Sequence, residues 1–187
     1  MSRRQVFRGP LHAGTVDLHH YLENETVLGY AMSHGEPSAA QYLTWLRMKA
    51  KFFRAVEARM LPAARRAETF EADGDSLAEK LGHDALEMPA ADAHVAWLDA
   101  CGLSDAERER RRTGSIYVCA GSVFGAHVIR ARILGMCPEW PVTAQAFTDR
   151  AAEVAYLEQL RQRGDCISEA RACFLAMGEV CNSQGAR

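Results

Sequence analysis

The chain is poor in the patterns that usually announce a chemistry. Six cysteines are present (Cys101, Cys119, Cys137, Cys166, Cys173 and Cys181), but no two form a Cys-x-x-Cys pair. That spacing argues against a zinc site or a disulfide framework and points to reduced thiols in the cytoplasm. Cys119 and Cys173 fall in helical patterns and read as small core residues. No apolar run approaches 18 residues, so no membrane span is expected. The N-terminal Met-Ser-Arg-Arg-Gln is basic but lacks the apolar stretch of a signal peptide. The formal net charge of −2 gives no sign of a nucleic-acid surface. Gly-x-Ser-x-Gly and the P-loop are missing, which removes two common catalytic frames. Glu-x-x-His is missing too, and with it the usual ligand pair of a di-iron bundle. There is no convincing strand alternation, repeat or linker.

What remains is ordinary in bulk: 187 residues, 48% apolar and 25% charged, the profile of one soluble globular domain. Helical periodicity dominates, so the expected fold class is all-α, a single-domain multi-helix bundle over 1–187. Residues 1–10 and 181–187 are expected to be flexible. Leu11, Thr15, Leu18 and Leu22 make one stripe of a first helix over 11–22. A loop covers 24–36, with an apolar patch at Val27-Leu28. A second helix follows Pro37-Ser38 and runs to Leu61, with Tyr42, Trp45, Leu46, Phe52, Phe53, Val56 and Met60 on its apolar face. Lys49 interrupts that face, and its head is expected to reach water or an acid. Residues 62–75 read as a polar segment or a frayed helix end. Ser76 and Glu79 read as a capping box for a helix to Glu87, which Pro89 ends. Another short helix covers 92–101. Ser104 and Glu107 form a second box, opening a long helix from Asp105 to Leu134. Its Glu107–Arg112 turns read as a solvated face. Further helices are expected over 142–163 and 168–180, the last packing through Ala172, Cys173, Leu175 and Met177.

The stretch Tyr117–Ile133 stands out because its glycines are costly. Each interior Gly costs roughly 1 kcal/mol relative to Ala. Gly121 and Gly125 share a face, and Gly114 lies on the same stripe. Two readings are open: close helix–helix packing through small residues, or a bare backbone strip against a flat ligand. Among the histidines, His19 lies at the edge of the buried stripe, with Glu23 one turn on as an acceptor for its ring. His20 lies nearly opposite the stripe, and His12 is two turns before His19. A lone histidine is more often solvated than a ligand, and His19 departs from that rule by its half-buried position beside a carboxylate. An imidazole on one side and bare backbone on the other suit a haem with an open sixth position.

At these residues the chain resembles the α-helical haem oxygenases, most closely the bacterial type found with bacteriophytochromes. Thr15-Val-Asp-Leu-His19-His-Tyr-Leu-Glu23-Asn24 is similar to the proximal segment Thr-x-x-x-His-x-x-x-Glu-Asn of that family. Tyr117-Val-Cys-Ala-Gly-Ser-Val-Phe-Gly-Ala126 is similar to its distal signature, Tyr-Val-x-x-Gly-Ser-x-Leu-Gly-Ala/Gly. Phe174 in the last helix also fits, and the likeness spans residues 10–180. The resemblance implies that haem is both substrate and cofactor, with His19 as the metal ligand and Glu23 beside it. Gly121 and Gly125 would lie on the distal face. Ser122 stands where many members carry an acid that orders water for proton delivery. His12 matches a propionate-pairing base, and Arg150 or Arg132 are further candidates for that role. The implied reaction cleaves haem with O2 and an external electron donor, a ferredoxin or an NAD(P)H-dependent reductase, to biliverdin, CO and iron. A bacteriophytochrome is the implied biliverdin acceptor. Two other readings stand beside it: a non-enzymatic haem carrier or sensor on the same fold, and a helical interaction module whose glycines only pack.

Overall fold

In the computed structural model, which describes residues 9–82 and 87–183, every regular element is helical. α1 spans Gly9–Ala13, α2 Val16–Asn24, α3 Val27–Ser33, α4 Ala39–Val56 and α5 Ala67–Leu81. α6 spans Pro89–Leu98, α7 Asp105–Met136, α8 Arg150–Arg161 and α9 Ile167–Ser183. Short 3₁₀ turns lie at Glu57–Arg59, Pro62–Ala64 and Thr143–Gln145. α4 packs along α5, α9 packs along α7, and α2 packs on α3 and α9. The aromatic face of α4 forms the centre of one continuous core, where Tyr42, Phe52, Phe53 and Phe70 are fully buried.

Local chemistry explains where the helices start. Ser104 Oγ accepts from the Glu107 N–H while the Glu107 carboxylate accepts from Ser104, so the expected box opens α7. Ser38 and Gln41 make the same reciprocal pair at α4. Asp149 caps α8 by accepting from Ala152 N.

Several expected boundaries move. The first helix is two pieces, because the chain steps aside at Gly14 and Thr15. A Cβ at Gly14 would meet Ile167 Cγ2 at 2.7 Å, so α1 turns into α2 hard against the start of α9. The expected loop at 24–36 is mostly α3, capped by Thr26, whose side chain accepts from Gly29 N. The polar reading of 62–75 fails because Phe70, Asp73 and Gly74 face inward on α5, which runs on through Ser76. The rest of the expected 76–87 helix includes 83–86, outside the described residues. Pro89 opens α6 instead of closing a helix, as its missing N–H allows. The helix expected over 142–163 starts only at Arg150, and α7 runs two residues past Leu134, through Gly135. Leu175 is 53% exposed and is no packing residue. Of the expected flexible flanks, Gly9–Pro10 and Cys181–Ser183 are helical, with Cys181 buried; 1–8 and 184–187 lie outside the described residues. The Glu107–Arg112 turns are braced rather than simply solvated. Arg110 pairs with Glu169, Arg112 with Asp99, and the Arg111 guanidinium sits 4.4 Å over Trp97. α7 is also long and apolar enough to cross a membrane by length and composition, against the expectation from contiguous runs. Its best window reaches a mean hydropathy of 1.2, and 39% of that window is buried inside the fold.

Candidate functional site

Residues 114–125 of α7 carry three glycines with two different surroundings. A Cβ on Gly114 would come within 2.5 Å of Ala170 N and 2.8 Å of Glu169 C, so α9 lies directly on that position. A Cβ on Gly121 would meet only Leu157 Cδ1, at 3.9 Å, and one on Gly125 would meet nothing within 4 Å. The stripe therefore divides. Gly114 serves helix packing, while Gly121 and Gly125 face open space.

That space is a cavity of about 340 Å³ beneath α7, within the range of small-molecule sites. α2 packs on α3 and α9, and the cavity lies between α2 and α7, which both line it. His19, Glu23, His12 and Val16 line it from the N-terminal helices; Tyr117, Gly121, Ser122 and Gly125 line it from α7. Phe174 and Met177 come from α9, and Met32, Trp45, Met48 and Lys49 from α3 and α4. The structure thus brings together His12, His19, Glu23, Tyr117, Gly121, Ser122, Gly125 and Phe174. It does not bring Arg150, whose guanidinium lies 5.7 Å from the Phe147 ring and outside the lining. Arg132 is engaged elsewhere, donating to the carbonyls of Ser33 and Gly35. His20 reaches the wall as an exposed residue.

The half-exposed His19 ring is held from two sides. Its Nδ1 lies 3.3 Å from Glu23 Oε1, and its centroid is 5.6 Å from that of Phe174. The hydrogen bond from His19 holds the Glu23 carboxyl below its ordinary range. With the proton on Nδ1 directed at Glu23, the Nε2 lone pair is left to bind. Tyr117 Oη lies 3.5 Å from both Thr15 Oγ1 and His12 Nδ1, which ties α7 to the start of α2. Ser122 Oγ donates to Cys119 O at 2.7 Å, so its hydroxyl turns back onto its own helix.

Two cations of the lining are among the residues that escaped sequence reasoning. Arg161 closes α8 at the rim. Its place is set by Gly9, whose φ of +56° and absent side chain let the chain approach Arg161 O, which a Cβ would meet at 2.3 Å. Only the positive-φ demand on a glycine gives a hint of this in sequence. Lys49 contradicts the expectation of a head in water or at an acid. It is 4% exposed, with its ammonium 5.6 Å from the Trp45 ring centroid. Burial pushes its pKa down.

Among the described residues no three His, Cys, Asp or Glu side chains gather as a bare metal ion would require. Three imidazoles, His12, His19 and His20, reach the wall; His19, held by Glu23 and Phe174, faces the slot as a single ligand of the kind that suits a metal whose other ligands arrive with it. No protein-family model, curated protein or solved structure matches this chain.

Proposed function

We propose that the chain is a haem oxygenase: it binds haem between α2 and α7 and supports its cleavage by O2 and an external reductant to biliverdin, CO and iron. The observation that carries this reading is the pair Gly121 and Gly125, unpacked on the helix opposite His19, across a cavity they share. Two interior glycines that serve no helix contact cost about 2 kcal/mol together against alanine. A flat occupant is a sufficient reason for keeping them. Haem, when bound, supplies both the iron that activates O2 and the ring that is opened.

The chain's own residues then have separate tasks. His19 would hold the iron through Nε2, with Glu23 at Nδ1 fixing the ring's tautomer and tilt. Phe174 packs against the imidazole and limits its swing. Gly121 and Gly125 leave the opposite side free of side chains, so small ligands and water can sit against the α7 backbone. Ser122 can pass a proton once its hydroxyl rotates away from Cys119 O. Arg161, which also pairs with Glu158, and the His12 imidazole on the wall are the N–H donors nearest to hand for the two carboxylates of haem. No side chain here stores electrons, so a ferredoxin or an NAD(P)H-dependent reductase is needed. A bacteriophytochrome as biliverdin acceptor, and a cytoplasmic setting, follow from the resemblance alone.

The test is to mix protein, haemin, ascorbate or ferredoxin, and an iron chelator in air. Loss of the Soret band, growth of a biliverdin band and CO in the headspace support the reading. A stable haem complex, or bleaching without CO, rejects the enzyme. A carrier then becomes the better description, and Ser122 bonded back onto its helix is the observation that favours it.

A further inference from the structure

The chain contains three lysines against nineteen arginines. Lys51 pairs with Asp92, and Lys80 donates to the Glu139 carbonyl at 2.6 Å. Lys49 alone is buried and lines the cavity. Its nearest charged or titratable neighbours are the thiols of Cys119, Cys173 and Cys181 and, across the cavity, Glu23. None of these is in hydrogen-bond or ion-pair contact with its ammonium; the contact it makes is with the Trp45 ring. An arginine at this position could never give up its charge, whereas a lysine can. The setting is the one in which a lysine becomes a nucleophile: an apolar wall, no acid beside it and access through a cavity.

We propose that Lys49 is a covalent capture site for apolar aldehydes that enter the cavity. The Nζ lone pair attacks the carbonyl carbon and forms the C–N bond. One proton moves from nitrogen to the carbonyl oxygen to give the carbinolamine; the second nitrogen proton then leaves with that hydroxyl as water as the C–O bond breaks, giving an imine. Amine plus aldehyde yields imine plus water, with no oxidant or reductant. Met48, Met177 and Trp45 supply the apolar lining that favours a hydrocarbon tail over a charged one. Burial shifts the ammonium towards its neutral form and so raises the share of free amine relative to a solvated lysine. This site does not depend on the haem reading, since it needs only the cavity and the amine.

The experiment is reductive trapping on the full chain. The folded protein is incubated with hexanal and cyanoborohydride at pH 7, and adducts at Lys49, Lys51 and Lys80 are counted by peptide mass spectrometry over time. Lys49 is expected to be alkylated at least tenfold faster than Lys51 and Lys80, and its rate should level off at a lower pH than theirs. Prior unfolding in urea should erase the difference. Lys49→Arg should lose the fast adduct while leaving the slow ones. A Lys49 rate equal to or below that of Lys51 and Lys80 in the folded protein overturns the proposal, and so does a Lys49 adduct that appears only after unfolding. Because the measurement is made on the unaltered chain, poor folding of a variant cannot obscure it.

Discussion

Alanine at Gly114 and at Gly125 should move stability in opposite directions, although the same helix gains the same methyl group. Helix propensity favours Ala over Gly by about 1 kcal/mol at an interior position. At Gly125 nothing opposes it, because the new Cβ meets no atom within 4 Å. At Gly114 the Cβ would stand 2.5 Å from Ala170 N and 2.8 Å from Glu169 C, both backbone atoms of α9. No rotamer change relieves that contact, so α9 must shift. Overpacking of this kind costs about 3 kcal/mol, which outweighs the propensity gain. The net expectation is about +1 kcal/mol for Gly125→Ala and about −2 kcal/mol for Gly114→Ala. In a chain of this size each kcal/mol moves Tm by roughly 2–4 °C. Differential scanning calorimetry should place the two variants on opposite sides of wild type. A Gly125→Ala variant that melts below wild type would refute the claim that this position is open. Gly125→Leu extends the test to function: it should fold and melt at or above wild type, yet titrate with haemin much more weakly or not at all.

Other expectations follow from the same geometry. His19→Ala should abolish the axial-histidine spectrum of the haemin complex while His20→Ala leaves it, and the reverse result would place the ligand on the wrong face of α2. His94, buried with Nε2 3.0 Å from Ser115 Oγ, has its pKa pushed down to about 4 by burial. The unfolded chain binds a proton there near pH 6.5 and the folded chain does not. Stability contributed by His94 is therefore complete above that pH and falls as pH drops from about 6.5 to about 4, by roughly 3 kcal/mol in all. Urea unfolding between pH 7 and 4 should show this slope, and His94→Gln should flatten it. Ser122→Ala should slow haem turnover without changing haemin affinity; an unchanged rate would mean that backbone-held water alone delivers protons.

The all-helical class and the two segments that face each other across the cavity were legible in sequence because each rests on short-range chemistry. The Ser104–Glu107 box, the α4 aromatic face and the Leu11/Thr15/Leu18 stripe are patterns within a few residues, and the structure uses them as read. α3 was missed because seven residues offer too few turns to show a period. The first part of α5, before Ser76, was not read as helix because Asp73 lies inward, its carboxylate accepting from Ala144 N at 2.8 Å, so a core position carried a surface residue type. The difference between Gly114 and Gly125 was invisible for another reason. Both are spaced as one stripe, and only the path of α9, which lies on the first and leaves the second, tells them apart. Lys49 was misplaced because a charged residue on an apolar face is usually extended to water, and nothing local records that its surroundings are closed.

The cavity depends on the parts of the chain that are most firmly fixed, and one buried ion pair shows how. Arg66 and Glu153 are 3% and 2% exposed and meet at 2.7 Å. Glu153 Oε1 also accepts from Thr148 N at 2.9 Å and Asp149 N at 3.1 Å, while Arg66 donates to the carbonyls of Ala63 and Arg65. The pair thus locks the entry to α8 against the turn before α5. α8 carries Leu157 and Arg161 into the cavity wall. Removing one partner leaves a buried charge without its counter-ion, a loss of about 3–5 kcal/mol. Glu153→Ala should therefore lower stability by that amount and weaken haemin binding as well, although position 153 is not in the cavity lining. Glu153→Gln keeps acceptor capacity but still strands the guanidinium, so it should recover only part of the loss. Urea denaturation and haemin titration on the same two variants separate the effects. If both variants keep wild-type affinity despite the lost stability, α8 does not need this anchor to present Leu157 and Arg161, and the wall is held by its apolar contacts alone.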